Sequence, residues 1–411
     1  MLPLKRTACR KALGSLGLLA ALYLLRRFLE AGLALQACPP RARPGLGGCR
    51  PRGEKGPPAW DVEVSNCTAD ARVLRQAWVG RGPTHIRQFM LHRHCRYFPM
   101  LHNHPEKCSG HVHLLLAVKS SLARADRREA IRQTWGREAE ARGGRGAVRT
   151  LFLLGSNLRD KARDPYAYLV GLEDRLYRDI LQWDFLDSFF NLTLKEVNFL
   201  RWLELFCPRV SFIFKGDDDV FVSPANLLQF LEERSPREDL LLGHVLYGAR
   251  PIRRQRSKYY VPRPLYNRSF YPPYVAGGGY LLSRRVAHRL HVASQSLELY
   301  PIDDVFLGMC LRVLPMSPTP HPGFKSFGIA PSGKSPLNRD PCVFRSMMMV
   351  HRLQPEELLE MWERVHGRLN CSRLVGFYGP EAREEARPRG RVRGVVAVCV
   401  LMCLTLVWAR Q

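Results

Sequence analysis

Three adjacent carboxylates, Asp217, Asp218 and Asp219, stand between two apolar runs, Phe212-Ile-Phe-Lys-Gly before them and Val220-Phe-Val after. Carboxylate oxygens are hard ligands for Mn2+ or Mg2+, and such ions keep positions open for the oxygens of a diphosphate. In extended chain, residues i and i+2 share a face, so Asp217 and Asp219 act together while Asp218 turns away. Gly216, just before them, lets a ligand approach the backbone closely. The plain alternative is a solvated acidic turn. Three acids between Phe-Ile-Phe and Val-Phe-Val are poorly explained as surface decoration, so the triplet reads as a site for a metal and a nucleotide diphosphate.

A second acid pair, Asp303-Asp304, follows Tyr300-Pro301-Ile302. Abstracting a proton from a hydroxyl takes one positioned carboxylate, and a like charge next door raises the pKa of such a group. The structural alternative is a helix start, with Pro301 in the first turn and acids favouring the helix dipole. Both readings can hold at once. The stretch Arg127–Trp135 reads as a helix with Ile131 and Trp135 inward and arginines outward. It follows the first strand directly, so its N-terminal end should face a ligand crevice and bring Arg128 and Arg132 to the diphosphate. Gly277-Gly278-Gly279, between Tyr274 and Tyr280, either clears room for a sugar or nucleotide or makes a bend between strand and helix. Seven histidines lie between His85 and His113 beside Cys95 and Cys108. Their spacing is too loose for an ordinary zinc site, and disulfides are the stronger reading.

Positioning these groups requires a framework, and the apolar runs outline one. Residues 111–118, 148–154 and 210–215 read as short buried strands. Helical patterns cover 125–136, 165–181 and 193–206. Alternation of this kind predicts an α/β fold, a Rossmann-like, mostly parallel sheet with helices on both faces. Ligands bind such sheets at the carboxyl ends of the strands, where the Asp triplet falls.

The 411 residues are enough for one large or two medium domains. Residues 1–11 read as a cytosolic tail and 12–37 as an uncleaved signal-anchor, basic before Leu13–Leu25 and interrupted by Arg26 and Arg27. Residues 38–59 are a Pro/Gly/Arg-rich stem, 60–375 a luminal domain, and 376–411 a basic tail with a short apolar run. Asn66, Asn191, Asn267 and Asn370 each open an N-x-Ser/Thr acceptor pattern, and an oxidising lumen suits the 12 cysteines. Lys and Arg number 63 against 37 Asp and Glu, a formal net charge of +26. That charge is spread along the chain without a recognition helix or zinc finger, which argues against nucleic acid and for an anionic ligand.

Several motifs together are recognisable. Arg127-Arg-Glu-Ala-Ile-Arg-Gln-Thr-Trp-Gly136, Leu151-Phe-Leu-Leu-Gly155, Phe212–Phe221, Ala276-Gly-Gly-Gly-Tyr280 and Tyr300–Gly308 occur in order within about Cys95 to Cys371. In these the chain resembles the animal β-1,3-glycosyltransferases, inverting enzymes of GT-A fold, and among them the β-1,3-N-acetylglucosaminyltransferases. Arg93–Met100 and Asn103–Cys108 are similar to the keratan-sulfate-extending branch, whereas the tail after Cys371 departs from the family pattern. The resemblance implies Mn2+ (or Mg2+) on Asp217, Asp219 and His351, with Asp304 as the catalytic base. It implies UDP-GlcNAc as donor, bound near Lys119, Arg128, Arg132, Trp135, Asp217, Gly278 and Gly279. The implied acceptor is a galactose-terminated glycan of poly-lactosamine or keratan-sulfate type, at the Golgi membrane in type II orientation. Arg253, Arg254, Arg256 and Lys258, beside Tyr259 and Tyr260, would suit a sulfated chain. Two alternatives remain: a β-1,3-galactosyltransferase using UDP-galactose, and a non-catalytic glycan-binding or chaperone-like Golgi protein.

Overall fold

The computed structural model describes residues 59–371, apart from 65–66, 141–145, 158–163, 331 and 370. The expected cytosolic tail, signal-anchor and C-terminal apolar run lie outside the described residues, as do Asn66, Asn370 and nearly all of the stem. Within the described residues no helix is long and apolar enough to cross a membrane.

The three expected strands form, as β2 (Val112–Lys119), β3 (Ala147–Ser156) and β5 (Phe212–Asp217). All three are rich in branched and aromatic residues, and β2 lies between β3 and β5, parallel to both. Alternation along β2 sends its side chains to two cores. Leu115 and Ala117 join one with the helices Leu192–Phe206, Arg284–Ser296 and Asp303–Val313. Leu114, Leu116 and Val118 join the other with Ala125–Gln133 and Pro355–His366. Each fully buried leucine contributes about 1.5–3 kcal/mol, so the central strand is anchored from both faces.

The sheet is mixed rather than mostly parallel throughout. Its order is β1-β4-β3-β2-β5-β8-β7-β9, with β1 at Met100–His102, β4 at Ile180–Leu186, β7 at Leu241–Leu246, β8 at Tyr274–Ser283 and β9 at Thr319–Pro320. β8 runs antiparallel to both β5 and β7. The helix expected over 165–181 stops at Tyr177, because Arg178 takes a left-handed conformation, φ 51°, and the chain re-enters the sheet as β4. The glycine triplet is not a bend either. It lies inside β8, with Gly279 paired to Gly216.

A second sheet sits beside the first, in the order β10 (Phe324–Lys325), β11 (Met349–His351) and β6 (Val220–Val222). β11 is antiparallel to β6, and its register sets His351 opposite Val220, next to the acid triplet. Disulfides join Cys67 to Cys95, Cys108 to Cys207 and Cys342 to Cys371. Cys95 and Cys108 are therefore not zinc ligands, and the neighbouring histidines scatter. His104 and His102 lie on Asp174, His85 stacks on Phe190 and His111 meets Ser211.

Candidate active site

The acid triplet leaves the tip of β5 not as extended chain but as a turn at Asp218-Asp219 before β6. The turn still gathers Asp217 and Asp219, whose carboxylates meet His351 of β11. His351 Nε2 lies 2.9 Å from Asp219 Oδ1 and 3.7 Å from Asp217 Oδ2. Among the described residues this is the only group of three side chains spaced to hold a metal ion. The donor set suits Mn2+ or Mg2+: two hard oxygens and one imidazole, all within 4.8 Å of one another. His351 Nδ1 lies 3.0 Å from the Ser326 carbonyl, which accepts its proton and leaves the Nε2 lone pair free for a cation. Burial works against a charged imidazole, but the hydrogen bond and charge of Asp219 prevail and raise the His351 pKa. Burial likewise opposes ionisation of Asp219, and His351 with Arg127 overcomes it, so that its pKa is lowered. Asp218 turns away, as expected. Its carboxylate accepts from Ser120 Oγ at 2.7 Å, and burial raises its pKa.

Asp303 and Asp304 open the helix Asp303–Val313. Burial raises the Asp304 pKa most, the charge of Asp303 adds to it, and Lys119 offsets part; the result is about 7. Two backbone N–H groups, from Val305 at 2.7 Å and Gly277 at 3.3 Å, hold its oxygens in place. Burial also opposes ionisation of Asp303, yet Lys119 and Lys215 outweigh it and lower its pKa. One of two neighbouring acids is thus held as the anion, while the other is tuned to exchange a proton near neutrality.

Lys119, the last residue of β2, joins the two acid sites. Its Nζ lies 2.9 Å from Asp217 Oδ1 and 2.9 Å from Asp303 Oδ2, and it donates to the Gly277 carbonyl at 3.2 Å. Burial disfavours its charge, but Asp217 and Asp303 raise its pKa well above the ordinary value. Lys119 therefore borders the ligand space as a committed cation.

Other expected donor contacts lie elsewhere. Arg128 is fully buried and grips Glu173 with two hydrogen bonds of 2.7 Å. Arg132 spans Glu173 and Asp179 and lies over the rings of Phe152 and Tyr177. The arginine that reaches the triplet is Arg127, 3.4 Å from both Asp218 and Asp219. Helical spacing explains the difference in part, since Arg128 and Ile131 follow i, i+3 and share the inward face of the helix, which ends at Gln133 before Trp135. Trp135 is a core residue whose indole N–H donates to the Val220 carbonyl at 2.9 Å, bracing the chain beside Asp219. Gly278 and Gly279 make room for the protein's own rings: a Cβ would come within 3.1 Å of His351 Nδ1 at the first and 2.9 Å of Phe214 at the second. The first glycine of the triplet, Gly277, has a role its residue type did not signal: its N–H and carbonyl serve Asp304 and Lys119.

Two cavities meet here. One, about 600 Å³, holds the triplet, Ser120, Arg124 and Arg127; the other, about 370 Å³, holds Asp304, Tyr271, Tyr274 and Phe327. Lys119, Phe189, Tyr259, His351 and Arg352 border both. The first is polar and cationic and holds the Asp217/Asp219/His351 group; the second is aromatic and contains Asp304. Of the cationic stretch, Lys258 lies over the rings of Phe189 and Tyr259 at this junction, while Arg253 is occupied by the carbonyls of Val261 and Tyr266. Asn267 is exposed, and the Asn191 amide donates to the Leu186 carbonyl at 2.8 Å.

The model of the galactosyltransferase family matches residues 126–322, which include both acid sites. A mouse UDP-GlcNAc:betaGal beta-1,3-N-acetylglucosaminyltransferase 7 is 51% identical over 387 residues, covering 90% of this chain and 98% of that protein. A human UDP-GlcNAc:betaGal beta-1,3-N-acetylglucosaminyltransferase 9 is 43% identical over 384 residues, covering 87% and 93%. A human acetylgalactosaminyl-O-glycosyl-glycoprotein beta-1,3-N-acetylglucosaminyltransferase is 45% identical over 323 residues, covering 77% and 82%.

Proposed function

Because the chain belongs to the galactosyltransferase family, we propose that it is an inverting β-1,3-N-acetylglucosaminyltransferase of GT-A fold. It moves N-acetylglucosamine from UDP-GlcNAc to the 3-hydroxyl of a terminal β-galactose, the transfer that the names of its relatives describe. The carrying observation is the pair of acid sites flanking Lys119: one arranged for a cation, the other a buried carboxyl with a pKa of about 7.

In this reaction Asp304 takes the proton from the acceptor 3-hydroxyl. The oxygen then attacks the anomeric carbon on the face opposite the diphosphate, the bond from that carbon to the phosphate oxygen breaks, and UDP departs with the electron pair. One base suffices, because inversion in a single displacement needs no covalent sugar intermediate. Mn2+ or Mg2+, bound by Asp217, Asp219 and His351, would supply neutralisation of the departing diphosphate. Gly277 and Val305 hold Asp304 in position, and Lys119 keeps Asp303 ionised.

The acceptor in this reading is a poly-lactosamine or keratan-sulfate-type chain, with exposed Arg254, Arg256 and Lys258 available to its sulfates. The enzyme works in the Golgi lumen as a type II membrane protein, anchored by residues 12–37 and glycosylated on its N-x-Ser/Thr asparagines. The family description favours a second reading, transfer of galactose from UDP-galactose. The test is UDP release from UDP-GlcNAc and from UDP-galactose, with and without Mn2+ and a lactose-type acceptor. Cation- and acceptor-dependent turnover of UDP-GlcNAc is expected; turnover of UDP-galactose alone selects the second reading, and no turnover of either leaves a glycan-binding protein.

A further inference from the structure

We propose that Arg352 is a donor-binding residue whose guanidinium takes the diphosphate of the nucleotide sugar; this rests on the reading of the site as a UDP-sugar site. Arg352 immediately follows the end of β11 at His351. Its φ is 79°, a left-handed conformation that L side chains other than Asn rarely adopt. The reason lies in the turn. The backbone N–H groups of Arg352 and Leu353 both donate to the Asp219 carbonyl, at 2.9 and 3.0 Å. The same turn ties His351 to the acid triplet, and the exposed Arg352 lines both of the site's cavities as well as a third, of about 520 Å³, beside Glu357 and Arg364.

What the neighbouring cations touch separates Arg352 from them. Lys119 is held by Asp217 and Asp303, Arg127 by Asp218 and Asp219, and Lys195 by Asp187. Lys258 lies over two aromatic rings. The exposed guanidinium of Arg352 has no hydrogen-bond, ion-pair or ring partner among the described residues, and it borders both cavities. Arg124 borders only the first. A planar guanidinium matches two phosphate oxygens at once, and an unpaired one has no competing carboxylate to leave. Backbone strain beside a ligand site is a pattern of functional positions. Glycine would adopt this φ at no steric cost, so the arginine brings a side chain to a place where the fold alone favours none.

The test is calorimetric titration of the full chain with UDP, UMP and uridine in Mn2+, for the wild type and for R352N, R352K and R352G. Asn and Gly both accept the left-handed backbone, so the turn is retained while the cation is lost. R352N and R352G should weaken UDP binding about tenfold or more, the scale of a hydrogen bond to a charged group. Uridine binding should stay unchanged, UMP should lose less than UDP, and R352K should fall between. The KM for the acceptor should not move. Unchanged UDP affinity in R352G or R352N, with wild-type UDP binding intact, overturns the proposal and spares the reading of the site. Absence of UDP binding by the wild type overturns both. Should R352N not fold, R352G decides; equal losses for UDP and uridine there would mean a structural role and would also overturn it.

Discussion

The two acid sites begin with the same chemistry, adjacent aspartates at the end of an element, and finish in opposite electrostatic states. Asp217 and Asp219 keep 32% and 27% of their side-chain surface exposed and have His351, Arg127 and Lys119 close by. Asp303 keeps 9% and shares Lys119 with Asp217, while Asp304 is hydrogen-bonded only by backbone N–H groups. The first pair is therefore suited to hold a cation, and Asp304 to hold a proton. The number of negative charges does not decide the state of each acid. What decides is how many positive partners the fold supplies before burial takes its toll.

The sharpest way to break this comparison is to neutralise each site in turn. Asp304→Asn should lower kcat by about 10³-fold, in the range of a lost general base, while Mn2+-dependent UDP affinity stays within experimental error. Asp219→Asn should do the reverse in binding. UDP affinity in Mn2+ should fall by about 10²-fold, as expected when a cation's electrostatic contribution is lost, and Asp218→Asn should cost much less because that carboxylate faces Ser120 and Arg127. If Asp304→Asn weakened Mn2+-dependent UDP binding as much as Asp219→Asn, the division of labour would fail.

Lys119→Met probes the link. It leaves Asp303 buried without its main partner, and chemical denaturation at pH 7 should show a loss of about 3 kcal/mol. A smaller comparison uses pH. As the proposed base, Asp304 acts when ionised, so kcat/KM should rise with pH through about 7. Asp303→Asn removes a neighbouring charge that raises this pKa, so the acidic limb should move to lower pH. Stability should show the opposite sign. The folded pKa of Asp304 lies above its ordinary 3.8, so the protonated carboxyl favours folding and this contribution is lost as pH rises from 3.8 through about 7. Asp304→Asn should therefore melt several degrees higher than the wild type at pH 8, and a lower melting point would contradict a strained base.

Legibility followed the range of the interactions involved. β2, β3 and β5 were readable because short apolar runs ending in charge have few other homes. β4 was not, because Leu176-Tyr177 and Ile180-Leu181 look continuous with the preceding helix, and only the left-handed Arg178 separates them. The buried place of Arg128 was legible too, since its i, i+3 spacing with Ile131 puts the two on one face of the helix. The backbone role of Gly277 and the place of Arg352 had no such signal. Their roles arise from β8 lying beside β5 and from β11 pairing with β6, contacts between distant segments.

By itself the sequence determined the α/β character of the framework, the strand tip that carries Asp217 and Asp219, and the helix start that carries Asp303 and Asp304. Each of these depends on neighbours a few residues apart, where periodicity and side-chain chemistry act directly. Tertiary structure alone decided that Lys119 ties both acid sites, that Asp304 rather than Asp303 has its pKa raised to about 7, and that His351 lies beside Asp217 and Asp219 with its Nδ1 proton on Ser326. Those outcomes depend on burial and on charges brought together from segments up to 184 residues apart, and neither quantity is written into any local stretch of chain.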